Sequence, residues 1–310
     1  MSQARNKILV PVDLGGHAEN VLEQAYPIAR VFGAEILMLF VIEDEAGISK
    51  LISPDDYLTR LMFQAKEQFD RIDNLIEQTG KGNKTPVSYI IKKGKVYDQI
   101  IETAREQDVI LIVMGRDDGD AKRIRRFMGS NTFNVVREAN CPVITLKGDK
   151  VYSCFRNILV PIDLTGQTKR QVQKAIELGK FFGATIYLVS VITKEGKVRR
   201  LMKNVQINQV RNAIERHGIN CSSEILTGEG LNIPRQICTM AQRTEADMII
   251  IMTQQKKNFP RFFVGSIAQE IIFMACVPVL SISPKAEFNP KVITSFLDPM
   301  NVMNSRQDRE

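Results

Sequence analysis

Residues 8–14 read ILVPVDL and residues 158–164 read ILVPIDL. Each is a short run of β-branched and apolar residues, strand-like in composition but interrupted by a proline. A central strand uses every backbone N–H in its ladder and proline has none, so proline belongs at edges or strand ends. Pro11 and Pro161 are therefore expected to end their strands, stopping the ladder and stiffening the exit. Asp13 and Asp163 follow two residues later. In an open α/β sheet the ground beyond the carboxyl ends of the strands is where ligands sit. Asp13 then either meets a ligand there or helps to cap the next helix. Because Pro-x-Asp is kept in both stretches while most of the following helix differs, binding is the preferred reading.

The two stretches begin a duplication. Residues 8–42 and 158–192 align without gaps at 14 identities in 35 positions, including FGA at 32–34 and 182–184. Further on, DVILIVMG (108–115) matches DMIIIMT (247–253), a GS pair recurs at 129–130 and 265–266, and PVIT (142–145) matches PVLS (278–281). Two large units, not a solenoid of short repeats, are implied. In the first, KILVPVD reads as a strand and His17 to about Phe32 as a helix stopped by Gly33. AEILMLFVI is the second strand. Ser53-Pro54-Asp55-Asp56 opens a long helix that Gly80 closes. PVSYIIK, a helix over 96–107, VILIVM, a helix from Gly129, and PVITLK complete the unit. Continuous apolar runs between helices mark parallel strands covered on both faces. The fold class is α/β, with two doubly wound five-stranded parallel-sheet domains in tandem. The domains are placed at residues 1–150 and 151–285, with a C-terminal tail at 286–310.

At 310 residues, with 44% hydrophobic and 25% charged residues, the chain can bury two ordinary cores. No apolar run approaches the ~20 residues of a bilayer span, and the N-terminus reaches Asp13 before a secretory segment could form. Five scattered cysteines without a CxxC favour reduced thiols and a cytoplasmic location. Two distant histidines give a zinc site almost no ligands, and no metal-ligating residues are assigned. Residues 1–150 hold 21 basic against 22 acidic residues, and the remainder 21 against 13. That excess suits a polyanion partner or, more commonly, a solvated basic face; it argues little for nucleic acid.

After the fourth strand comes GRDDGDAKRIRRFMGSNTFNVV (115–136). Gly115, Gly119 and Gly129 allow close backbone approach. Gly129-Ser130-Asn131-Thr132 opens a helix whose free N–H groups and dipole suit an anion. Lys122, Arg123, Arg125 and Arg126 add positive charge between. The alternative is a basic surface loop with Ser130 as an ordinary N-cap. It is not a P-loop, since GxxxxGK[ST] is absent.

With these motifs in place, each half resembles the universal stress protein domain, of adenine nucleotide alpha hydrolase-like fold, over nearly its whole length. ATP-binding members of that family end the first strand in Pro-x-Asp and follow the fourth with G-2x-G-9x-G-[ST]. Here Pro11-Val12-Asp13 is followed by Met114-Gly115, three residues, Gly119, nine residues and Gly129-Ser130; the first spacer is one residue longer. The resemblance implies that Pro11, Val12, Asp13 and Val41 hold adenosine. It also implies that Met114, Gly115, Gly119, Gly129, Ser130, Asn131 and Thr132 hold the phosphates of ATP, with Asp117 and Asp118 contacting Mg²⁺ or pointing away. The second half departs further: after Met252 comes TQQKKNFPRFFVGS, with Thr253 in the place assigned to Gly115 and no middle glycine. Its site is expected to be weakened or lost.

The resemblance also implies that the two domains pair through their last strands, PVITLK against PVLSIS, as an intramolecular pseudo-dimer, with a homodimer a further arrangement. The leading reading is a cytoplasmic sensor or regulatory module binding ATP or a related adenine nucleotide, mainly in the first domain. The alternatives are a partner-docking protein using the basic second half without nucleotide, and a slow ATPase. No Ser/His/Asp or Cys/His set supports catalysis.

Overall fold

The computed structural model describes residues 6–13, 18–43, 54–79, 85–116, 130–148, 150–163, 168–193, 197–253 and 265–283. In the first repeat these form β1 (Asn6–Val12), α1 (Ala18–Val31), β2 (Ala34–Ile42), α2 (Pro54–Thr79), β3 (Val87–Lys93), α3 (Val96–Glu106), β4 (Leu111–Gly115), α4 (Ser130–Glu138) and β5 (Val143–Leu146). In the second they form β6 (Asn157–Pro161), α5 (Thr168–Phe182), β7 (Thr185–Ile192), α6 (Lys197–Glu215), β8 (Cys221–Thr227), α7 (Ile233–Arg243), β9 (Met248–Met252), α8 (Ser266–Met274) and β10 (Val279–Ile282). The 286–310 tail, Ser53 and Gly80 lie outside the described residues.

Strict alternation of strand and helix produces a mixed α/β architecture. The central strands carry near-continuous apolar runs because helices cover both faces, while β3 and β8 at the edges hold exposed polar residues. Ile8, Leu9 and Val10 of β1 are fully buried, as are Leu111, Ile112 and Val113 of β4. Each such side chain contributes about 1.5–3 kcal/mol by leaving water. On α1, Leu22, Ala25, Ile28 and Ala29 recur at helical spacing and are buried. The repeated FGA has a backbone cause. Gly33 and Gly183 follow α1 and α5 with φ of +56° and +60°, a left-handed turn that side chains resist.

The chain divides into two compact units, one drawn from Met1–Ser153 and Thr253–Ala286, the other from Cys154–Met252. In the first, the strand order is β3-β2-β1-β4-β5-β10. β1 to β5 are parallel neighbours. β10 runs antiparallel to β5, with Val279 opposite Thr145 and Ser281 opposite Val143. Thr145 Oγ1 donates to the Val279 carbonyl at 3.4 Å, and Ser283 Oγ to the Ala139 carbonyl at 3.3 Å. In the second unit the order is β9-β6-β7-β8, all parallel. Hydrophobic pattern sets which residues are strands but not which strand a short VLSI pairs with; the pairing of β10 with β5 is expected only from the family resemblance.

Pro161 is the last residue of β6, as expected, but Pro11 does not end β1. Pro11 stands level with Leu39, and Val12 beyond it with Phe40, so β1 pairs with β2 straight through the proline. The reason is alternation. The Lys7 carbonyl accepts from Ile110 N–H, so residues 7, 9 and 11 face β4. The register with β4 ends at Leu9 opposite Ile112. The missing N–H of Pro11 thus points to the side where pairing has already ceased, and nothing is lost. The second unit repeats the device. Asp247 N–H donates to the Asn157 carbonyl, pairing with β9 ends at Leu159, and Ile162 N–H bonds the Val189 carbonyl past Pro161.

Candidate functional site

Strand order reverses direction between β1 and β4. From β1 the chain steps to β2 and β3 on one side, and from β4 to β5 on the other. Helices leaving the two central strands diverge, which opens a crevice beyond their carboxyl ends. The register shows what lines that edge. Leu9 is level with Ile112, so two residues on, Pro11 is level with Met114 and Val12 with Gly115. On the other side Val12 is level with Phe40, so Asp13 falls level with Val41. Pro11, Val12, Asp13, Val41, Met114 and Gly115 are therefore brought to one edge of three adjacent strands. Asp13 is exposed there, Pro11, Val12, Val41 and Gly115 are half-buried, and Met114 is buried.

Gly115 has a steric reason to be glycine. A Cβ built on it would lie 2.6 Å from Val21 Cγ2 on α1, closer than side chains approach. The bare end of β4 is what lets α1 stand so near it. α4 crosses from β4 to β5 and so presents its N-terminus at this same edge. No acid occupies its first turn, which leaves the positive end of the helix dipole for a ligand to meet. Asn131 is half-buried and Thr132 buried in that turn. Gly119, Gly129, Asp117, Asp118 and the cations Lys122, Arg123, Arg125 and Arg126 lie outside the described residues; Ser130 is placed as the first residue of α4.

Arg116, which the sequence reading passed over, has a structural task. Its N–H donates to the Leu146 carbonyl at 2.8 Å. Its guanidinium donates to the carbonyls of Ile272 and Ala275 at the end of α8 and lies 5.7 Å over the Phe273 ring. Free carbonyls at a helix C-terminus attract such a cation. Although it follows Gly115 directly, its charge is spent on α8. Neither Arg116 nor Val21 carries a sequence signal of these contacts, because both are set by tertiary approach. Of the thiols, burial pushes Cys141 up to about 12 and, with Glu215 nearby, Cys221 also up to about 12, which leaves both inert at neutral pH. Among the described residues no group of His, Cys, Asp and Glu could hold a metal ion.

In the second repeat the register corrects one expectation. Ile158 is level with Met248 as Ile8 is with Leu111, so Met252, not Thr253, stands at the place of Gly115. Thr253 takes the place of Arg116, and its N–H donates to the Ile282 carbonyl at 3.0 Å as Arg116 donates to Leu146. Asp163 is exposed after β6, and its carbonyl accepts from Lys203 Nζ at 3.3 Å. Gly265 precedes α8 with φ −59° and no atom within 4 Å of an added Cβ, so nothing there demands glycine.

Comparison with known proteins agrees with this fold. A universal stress protein of Methanocaldococcus jannaschii is 26% identical over 163 residues, covering 47% of this chain and 98% of that protein. A second from the same organism is 27% identical over 148 residues, covering 43% and 85%. The crystal structure of a universal stress protein from Archaeoglobus fulgidus shares the fold with a TM-score of 0.71 at 23% identity, covering 90% of this chain and 96% of that one. The model of the universal stress protein family matches twice, over residues 4–147 and 155–283. With both repeats matched nearly end to end, the chain belongs to the universal stress protein family.

Proposed function

We propose that the first repeat binds ATP, or a related adenine nucleotide, at the carboxyl edge of β1 and β4, and that the protein serves as a nucleotide-responsive regulatory module. The observation that carries the reading is Gly115. A strand end kept bare against Val21 adjoins Pro11-Val12-Asp13 on one side and the N-terminus of α4 on the other. In this reading Asp13, with the backbone of Pro11 and Val12 and the side chain of Val41, holds the adenosine. Met114, Gly115, Gly119, Gly129, Ser130, Asn131 and Thr132 hold the phosphates, with Mg²⁺ as the companion ion. The nucleotide's bound charge is what such a module senses; the chain supplies position and donors, not a general base.

The second repeat, with Met252 at the glycine's register, contributes little binding. We also propose that the two repeats join through their last strands as a pseudo-dimer, a reading supported by the antiparallel pairing of β5 with β10. A cytoplasmic setting is supported by free cysteines and by the finding that no described helix is long and apolar enough to cross a membrane. The test is thermal unfolding of the full chain with and without Mg-ATP. Ligand at 100 times its Kd adds about 2.7 kcal/mol. Absence of any shift at millimolar nucleotide, together with no heat in calorimetry, would refute the nucleotide reading.

A further inference from the structure

α2 and α6 occupy equivalent places in the two repeats, each between a second and a third strand. Both bury one stripe and expose large apolar side chains elsewhere. On α2, Ala65, Phe69 and Ile72 are buried, yet Met62 and Phe63 are 53% and 61% exposed. On α6, Ile207 and Ile214 are buried, yet Leu201, Met202 and Val205 are 66%, 61% and 57% exposed. At 100° per residue, Phe63 lies opposite the buried stripe of α2, and the Leu201–Met202–Val205 group lies opposite that of α6. Apolar residues scattered singly over a surface need no explanation, but a cluster within one or two helical turns does.

The two helices differ in charge. The 26-residue α2 carries six acids and three bases, while the 19-residue α6 carries five bases and one acid. On α2, Glu67 and Asp70 follow Phe63 by one and two turns and are exposed. On α6, Lys197 and Arg199 precede Leu201 and Met202 by one turn. We infer that α2 and α6 are complementary docking surfaces through which two copies of the chain associate, the acidic helix of one copy against the basic helix of the other.

Charge selects this occupant. Packing α6 on α6 would set cations against cations, and α2 on α2 acids against acids, which costs rather than gains. Only the crossed pairing matches apolar cluster with apolar cluster and opposite charge with opposite charge. The exposed groups project from helices instead of lining a groove, which suits ridge-into-groove packing with another helix. Met62 and Met202 bring side chains that adapt to an irregular partner. This inference stands apart from the nucleotide reading, since none of its residues is among those assigned to the nucleotide.

Sedimentation of the full chain over a wide concentration range is the test. Association is expected at low ionic strength, weakening about tenfold or more in high salt as the charges are screened. Phe63→Ser, and separately Leu201→Ser with Met202→Ser, should each weaken it by at least about tenfold. Glu67→Lys with Asp70→Lys should abolish it, and adding Lys197→Glu with Arg199→Glu to the same chain should restore it. Unchanged circular dichroism and melting temperature confirm that each variant folds, and the restoration cannot come from a misfolded chain. A chain that stays monomeric at every concentration overturns the proposal, as does association indifferent to these substitutions. Capture by anionic lipid vesicles through Leu201 and Met202, with no self-association, overturns it in favour of a bilayer surface.

Discussion

Gly115→Ala should be costly although it adds one methyl group. The new Cβ would lie 2.6 Å from Val21 Cγ2. Val21 is β-branched and holds one χ1 rotamer in a helix, so it cannot swing aside without strain. Either α1 or the end of β4 must move. Overpacking of this kind costs about 1–3 kcal/mol, and in a protein of this size each kcal/mol lowers Tm by about 2–4 °C. Gly115→Ala is therefore expected to melt ~2–12 °C below the parent in a circular-dichroism scan. Val21→Ala removes the atom that collides, so the double variant Gly115→Ala/Val21→Ala should melt above Gly115→Ala alone, with a coupling of about 0.5–3 kcal/mol. Nucleotide affinity should follow the same order, because α1 begins beside the proposed adenosine site. If Gly115→Ala melts with the parent, or Val21→Ala fails to rescue it, the close approach of α1 to β4 is not what requires glycine here.

Asp13→Ala should weaken adenosine and ATP alike, by roughly 1.5–3 kcal/mol for a hydrogen bond to a charged group; calorimetry showing loss for ATP alone would remove Asp13 from the adenosine side. Gly129→Val should abolish ATP binding with the fold retained, whereas Gly265→Val, at φ −59° with open space around its Cβ, should leave both melting and ATP affinity nearly unchanged. Native alkylation at pH 8 should label the exposed Cys154 and Cys276 well before Cys141 and Cys221; mass spectrometry showing equal rates would contradict their placement. Cys141 and Cys221 stay protonated in the fold up to about 12, while in the unfolded chain such thiols ionise from about pH 8.5. Their burial therefore costs nothing at neutral pH and lowers stability as pH rises through 9 toward 12, which denaturant titrations of Cys141→Ala against the parent would detect as a smaller alkaline loss.

Much of the architecture was legible because it rests on local signals. Alternating apolar runs and helical stretches gave the α/β class, and Gly33 marked a helix end because a left-handed φ restricts the choice of residue. The edge residues Pro11, Val12, Asp13, Val41, Met114 and Gly115 were chosen by motif, and register brings them to one edge. What escaped was decided by partners distant in sequence. Pro11 looked like a ladder stop because its N–H is missing, but which neighbour that N–H would face depends on alternation from Lys7 and on β4 ending its pairing at Leu9. The place of Arg116 at the end of α8 joins residues more than 130 positions apart; the similarly distant pairing of β10 with β5 was reached through the family resemblance and not through any local signal.

Register also changes why the two repeats differ. In the alignment of DVILIVMG with DMIIIMT, the second copy is one residue shorter, and a gap can be placed anywhere in an apolar run without altering the match. Sheet pairing removes that freedom, since Ile8 opposite Leu111 and Ile158 opposite Met248 fix the counterparts. Met252 then stands where Gly115 does. A long side chain at a strand end cannot permit the approach that Val21 makes in the first repeat, whatever loop follows. The proposed site then predicts that restoring GxxxG spacing after Met252 confers no ATP binding by itself, and that Met252→Gly is required as well. A loop graft that conferred ATP binding while Met252 remained would show that the loop alone, and not the strand end, separates the repeats.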